Sequence, residues 1–238
     1  MVTARQLAEG LRERFQKKDR ESGLDREEFQ ALFREAVRNY YPELKERCGG
    51  RSLYGVSFEI GDTVQSIYAG NFEMHIYFNT EEGYREKSRD CGEDEKDYYR
   101  FEPWAEWDAV NARSPLFDRL RDYLEQNSLR VCCECSSNPD YRDRLKDDAA
   151  AWYEKNKTVF EKAFAAECRQ IRGWMAEALG GLRREGFWEA QGSAELYVIP
   201  FGGEGDIGTE ELIESYSVMD AGYHGTEYPD YLKSCDLA

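Results

Sequence analysis

The sequence predicts an α+β fold, in which helices flank and follow an antiparallel β-meander instead of alternating with parallel strands. Two changes of hydrophobic pattern predict it. Apolar residues recur at helical spacing before residue 48 and after residue 114, and at a spacing of two between residues 53 and 78. With 41% hydrophobic and 14% aromatic residues, the chain can build a substantial core. We expect a single α+β domain over residues 1–238, with a strongly acidic C-terminal segment at residues 186–238.

Capping signals predict where the helices start. A capping box at Thr3 and Gln6 starts the first helix, and a similar cap at Asp25 starts the second. Pro42 and the following glycines are expected to end the second helix. Further starts are predicted at Ser114, Asn138, Thr158 and Thr209.

Three short segments rich in Val, Ile, Tyr and Phe predict the meander. They cover residues 53–60, 63–69 and 72–78, and the turn dipeptides Gly61-Asp62 and Gly70-Asn71 separate them. A later strand is predicted at residues 195–200.

The formal net charge of −16 is concentrated at the C-terminal end. From Gly186 to Ala238 there are eleven acidic residues against one lysine, a net charge of −10. Such a surface repels nucleic acid and anionic membranes and attracts a basic protein. We therefore expect a basic protein partner, no nucleic acid and no membrane. The candidate contact residues in this segment are Glu204, Asp206, Glu210 and Glu211.

The cysteines and the N-terminus favour a cytoplasmic protein. No apolar run approaches the roughly 18 residues that a membrane span requires, and the N-terminus has no signal-peptide pattern. The seven cysteines are odd in number and irregularly spaced, which is typical of free thiols in a reducing compartment. Cys132, Cys133 and Cys135 form only one Cys-x-x-Cys pair, whereas a zinc site commonly uses two. We expect no metal, and we interpret these thiols as small buried hydrophobes.

Residues 203–208 match the Gly-x-Gly-x-x-Gly pattern of a dinucleotide-binding loop. However, Glu204 and Asp206 lie inside the loop, where their charge would repel a pyrophosphate. The chain that follows is also too short to continue a nucleotide-binding half-domain. We interpret the segment as a flexible turn and expect no cofactor.

The densest aromatic run, at residues 98–108, contains Trp104 and Trp107. Their indoles either close the core over the sheet or form an exposed platform for a partner, since Trp is common among interface anchors. The only histidines are His75, in a predicted strand, and His224, in a predicted loop where a functional role is easier to accommodate.

The chain resembles a bacterial family known as domain of unknown function 4303. The resemblance rests on Leu-Tyr-Gly-Val-Ser-Phe at residues 53–58, Asn-Thr-Glu-Glu at 79–82, the Glu-Trp pair at 106–107 and Glu-Gly-Phe at 185–187. It implies a bacterial cytoplasmic protein among toxin-immunity or interaction modules, and it carries no catalytic residues.

The sequence favours a non-enzymatic, immunity-type binding module for a basic partner, and leaves the oligomeric state open. The alternative is a hydrolase-like enzyme that uses carboxylates and His224. An enzyme should gather His224 and acids of perturbed pKa in a concave pocket, whereas a binding module should present a broad acidic face.

Overall fold

The computed structural model describes residues 23–61, 72–103, 107–128, 148–201 and 207–236. Within these ranges the protein has eight helices and one four-stranded sheet. The helices are α1 (Arg26–Arg47), α2 (Glu81–Lys87), α3 (Glu93–Phe101), α4 (Pro115–Asn127), α5 (Asp148–Arg184), α6 (Phe187–Ala190), α7 (Thr209–Asp220) and α8 (Glu227–Asp236). The strands are β1 (Leu53–Gly61), β2 (Glu73–Thr80), β3 (Asp108–Asn111) and β4 (Tyr197–Pro200).

The sheet is mixed, with the order β3-β2-β1-β4. β1 pairs antiparallel with β2, and β2 pairs antiparallel with β3, whereas β4 runs parallel to β1. The α+β class is confirmed, but the sheet is mixed and is not the antiparallel meander alone that the sequence predicts. β1 pairs directly with β2. The strand predicted at residues 63–69 lies outside the described residues.

One side of the sheet, which we call the helical face, is covered by α1, α4 and α5. The Asp25 side chain accepts a hydrogen bond from the backbone N–H of Glu28, which confirms the predicted start of α1. Pro42, however, lies inside α1, and the helix continues to Arg47. The buried side chains on this face include Phe29, Phe33, Val56, Phe58, Ile76, Leu120, Leu179 and Val198.

α5 joins two helices that the sequence predicts as separate. It runs without interruption through Trp152 and the predicted cap at Thr158. Neither Gly nor Pro lies between these positions, so nothing in the backbone forces a break. Of the described helices, none combines the length and the apolarity needed to cross a bilayer.

The other side of the sheet, which we call the tyrosine face, is covered by α3, α7, α8 and Trp107. Its buried residues are Tyr54, Phe101, Trp107, Tyr197, Ile199, Tyr216, Tyr228, Tyr231 and Leu232. The Trp107 ring packs directly on the backbone of Gly55, where a Cβ atom would lie 2.5 Å from Cη2 of the indole. Only glycine accommodates this contact, so the identity of Gly55 and the position of Trp107 depend on each other.

Candidate functional site

The structure separates the predicted contact residues into different environments. Glu210 is exposed at the start of α7, whereas Glu211 is partly covered and lies 3.3 Å from a guanidinium nitrogen of Arg172. Trp107 is 7% exposed and its Nε1 donates to the carbonyl oxygen of Tyr99 at 3.3 Å. The interpretation of Trp107 as an exposed anchor for a partner is therefore wrong, because its indole is buried in the core. Further predicted residues lie outside the described ranges: Trp104, Glu204, Asp206, Cys132, Cys133 and Cys135.

The described acidic residues of the C-terminal segment divide into paired and unpaired carboxylates. Glu195, Glu210 and Glu214 are exposed and form no ion pair with any described residue. By contrast, Glu189, Glu211 and Asp230 of the same segment each lie within 4 Å of a basic side chain. These pairs are Arg183–Glu189, Arg172–Glu211 and Lys233–Asp230.

The turn between α7 and α8 presents an exposed aromatic ring. Ala221 and Gly222 both adopt left-handed backbone conformations, with φ of 51° and 82°, which reverses the chain over a few residues. Tyr223, in this turn, is 45% exposed. The Arg183 guanidinium carbon lies 4.6 Å from the centre of its ring, within the range of a cation–π contact.

Arg183 links this ring to the acidic surface. Its side chain is 4% exposed and donates hydrogen bonds to the carbonyl oxygens of Ala194 and Leu196. One of its nitrogens also lies 3.9 Å from a carboxylate oxygen of Glu189. Arg183 therefore contacts both the ring of Tyr223 and the carboxylate of Glu189.

His224 forms a close pair with Asp220. The Asp220 carboxylate accepts hydrogen bonds from the His224 backbone N–H at 2.8 Å and from its Nδ1 at 2.6 Å. The other ring nitrogen, Nε2, lies 3.3 Å from the carbonyl oxygen of Glu195. The imidazole also stacks on the ring of Tyr197, with 3.7 Å between ring centres.

This geometry suits a histidine that fixes a turn. Burial raises the pKa of the Asp220 carboxyl, but hydrogen bonds from His224 and the charge of Arg183 outweigh burial and hold it below its usual range. Each nitrogen of His224 faces an acceptor, and its side chain is 7% exposed. A general base needs a nitrogen within reach of a substrate proton, so the pair gives the hydrolase alternative no geometric support.

A cleft of about 850 Å³ opens at the end of the sheet where the strands β1 and β4 begin. The loop after α1 and the loop before β4 form its walls, and Arg100 of α3 lies among its lining residues. The Arg100 guanidinium carbon lies 5.0 Å from the ring centre of Tyr54, 5.4 Å from that of Tyr84 and 5.5 Å from that of Tyr197. The nearest paired carboxylate oxygen, on Glu81, is 3.8 Å from Nη1, beyond hydrogen-bond distance.

Tyr197 connects the cleft to α8. It lines the cleft, and its hydroxyl donates to the carboxylate of Glu227. Burial, with a further contribution from that hydrogen bond, raises the pKa of Tyr197 to about 12. The hydroxyl therefore stays protonated and keeps its role as donor at neutral pH.

The fold and these surfaces define an α+β protein with a mixed sheet, a cleft at the sheet edge and an acidic C-terminal surface. The chain matches no protein-family model, and the searches of curated proteins and of solved structures found no match either. The resemblance to domain of unknown function 4303 thus stays a prediction.

Sequence reasoning did not identify Tyr223, Arg100 or the pairing of Asp220 with His224. The Asp220–His224 pair had a local sequence signal, because an acidic side chain at the end of a helix can reach a histidine four residues later. The cleft had none, since its lining residues come from segments far apart in the chain.

Proposed function

We propose that this chain is a non-enzymatic, immunity-type binding module of a bacterial cytoplasm, and that its acidic C-terminal surface engages a basic protein. The observation that carries the proposal is the exposure of Tyr223, whose ring contacts Arg183, a side chain that also lies 3.9 Å from the carboxylate of Glu189. Tyrosine is enriched among the residues that dominate binding energy at interfaces. The carboxylates of the same segment would select a lysine-rich or arginine-rich partner surface.

Tyr223 is suited to act as an anchor because its ring is already held. Arg183 packs against the ring, and the ring of His224 meets it edge-on, with 4.8 Å between centres. A side chain that is fixed before binding loses little conformational entropy when a partner arrives. The part of the ring that stays exposed can accept a basic side chain from the partner.

Two further exposed carboxylates, Glu210 and Glu214, lie one helical turn apart in the first half of α7, whereas Tyr223 follows the other end of this helix. They belong to the same acidic C-terminal segment. They make cleaner test positions than Glu211, whose replacement would also break the contact with Arg172. Their main contribution is to speed encounter, which salt screens over about 8 Å at physiological ionic strength.

The test uses the full chain as bait in an extract of its native cells. A basic protein should be retained by the wild type and by the control E46K/D122K, and lost from E210K/E214K. The two double variants change the net charge equally, and Glu46 and Asp122 are exposed positions on α1 and α4. Stopped-flow mixing should then show association slowed about tenfold or more by E210K/E214K, and slowed by added salt.

A second variant pair tests the anchor. Tyr223→Ser should weaken binding of the captured protein by about thirtyfold or more, as expected for a hot-spot residue. Tyr98→Ser, at the other exposed large aromatic residue among those described, should leave binding unchanged. If both double variants retain the same proteins, or if association ignores both salt and charge reversal, the acidic surface is only a solvated one and the proposal fails.

A further inference from the structure

We propose that the cleft around Arg100 binds a small molecule that carries a carboxylate or phosphate group on an apolar body. This site is distinct from the surface around Tyr223, and it needs no protein partner.

Arg100 is held in a fixed position for such a ligand. The rings of Tyr54, Tyr84 and Tyr197 surround its guanidinium group, and the backbone carbonyl of Arg100 accepts a hydrogen bond from the Tyr54 hydroxyl at 3.1 Å. Its side chain is 25% exposed. The guanidinium also hydrogen-bonds to the side chain of Tyr197. Its remaining N–H groups match the oxygens of a carboxylate or phosphate.

The charge of the cleft is opposite to that of the whole protein. Its lining contains Arg100, Arg51 and Lys45 against Glu81 and Glu195, an excess of positive charge in a chain of net charge −16. A net positive charge in a concave site favours ligands that carry a negative charge. This cleft therefore favours an anion, whereas the surface around Tyr223 favours a cation.

The size of the cleft indicates more than a simple ion. A volume of about 850 Å³ falls within the range of small-molecule sites, roughly 300 to 1,000 Å³. Leu53, which is partly exposed, lines the same cleft as the charged groups, and the buried Leu196 and Tyr54 lie behind it. Such walls suit the apolar body of a ligand whose charged head contacts Arg100.

The experiment titrates the full-length protein with phenyl phosphate and with benzoate, which share a ring and differ in the charged head. Benzyl alcohol serves as the neutral probe, and sodium chloride is added to match ionic strength. Isothermal titration calorimetry should show saturable millimolar or tighter binding of one anionic probe, and none of benzyl alcohol. The preferred head distinguishes a phosphate ligand from a carboxylate ligand.

Arg100→Gln and Arg51→Gln should each weaken that binding about tenfold or more, as expected when a charged hydrogen-bond donor is lost. Arg51 is exposed, so its variant tests the cleft even if Arg100→Gln fails to fold. Arg113→Gln, which removes the same charge at an exposed position outside the cleft, should bind as the wild type. Absence of saturable binding by both anions, or equal binding by the Arg51 and Arg113 variants, would overturn the proposal.

Discussion

The two faces of the sheet are packed with different chemistry. The helical face is filled mainly by Phe, Leu, Val and Ile side chains, whereas five buried tyrosines dominate the tyrosine face. Two of these hydroxyls donate to carboxylates, Tyr197 to Glu227 and Tyr231 to Glu102. The helical face therefore depends chiefly on filled volume, while the tyrosine face depends on matched polar partners as well.

The closest packing on the tyrosine face gives the largest expected effect. Gly55→Ala should lower the free energy of unfolding by about 3 kcal/mol, because the new Cβ overlaps the Trp107 ring. Gly173→Ala, in α5, meets no atom within 4 Å and should instead raise it by up to about 1 kcal/mol. Urea unfolding measures both values, and effects of the same sign would contradict the tight contact.

A pH-dependent effect is expected at the turn after α7. Asp220→Asn should cost about 2 kcal/mol at neutral pH, because the carboxylate accepts two hydrogen bonds from His224. The folded pKa of Asp220 is depressed, so its contribution is complete above the unfolded value of about 3.9 and is lost as pH falls through the folded pKa. Urea unfolding of both proteins from neutral to acidic pH should show their difference shrinking only at the acidic end.

The control for this prediction is Asp230→Asn, on the exposed side of α8. That carboxylate is 64% exposed and lies 3.9 Å from Lys233, an arrangement that contributes little to stability. A cost at Asp220 that stays constant down to strongly acidic pH would refute the role of its charge.

The smallest expected changes in stability come from removing single hydroxyl groups on the tyrosine face. Tyr231→Phe removes a donor to Glu102 at 2.8 Å and should cost about 1 kcal/mol. Tyr216→Phe should be neutral or slightly stabilising, because its buried hydroxyl has no hydrogen-bond partner among the described residues. Equal losses in the two variants, measured by thermal or urea unfolding, would show that ring packing alone decides stability on this face.

Local sequence signals predicted much of the secondary structure. The stripe on α1, the Ser114 cap of α4 and the alternation in β1 and β2 are each complete within a few residues. β3 escaped prediction because its four residues carry no apolar alternation and its pairing with β2 defines it. The sequence also did not predict that β4 pairs in parallel with β1, because no local pattern indicates which strand a short strand pairs with.

The candidate sites were less predictable. The acidic segment is a property of composition, which predicted the exposed Glu210 but not the contact of Glu211 with Arg172. The burial of Trp107 depends on a glycine in another strand, and the setting of Tyr223 depends on an arginine at the end of α5. Contacts of this kind arise only when distant segments meet, which spacing along the chain does not reveal.

The parallel pairing of β1 with β4 also has a consequence for how the protein is made. β1 leaves the ribosome early, yet its second neighbour is synthesised only after all of α5. Until then, one edge of β1 carries unpaired backbone N–H and C=O groups that can recruit other chains. Such high contact order slows folding and lengthens the period in which a nascent chain is prone to aggregation. The segment that bears the acidic surface therefore also covers the long strand β1 with the short edge strand β4. A chain truncated before this segment would leave β1 itself as the edge of the sheet.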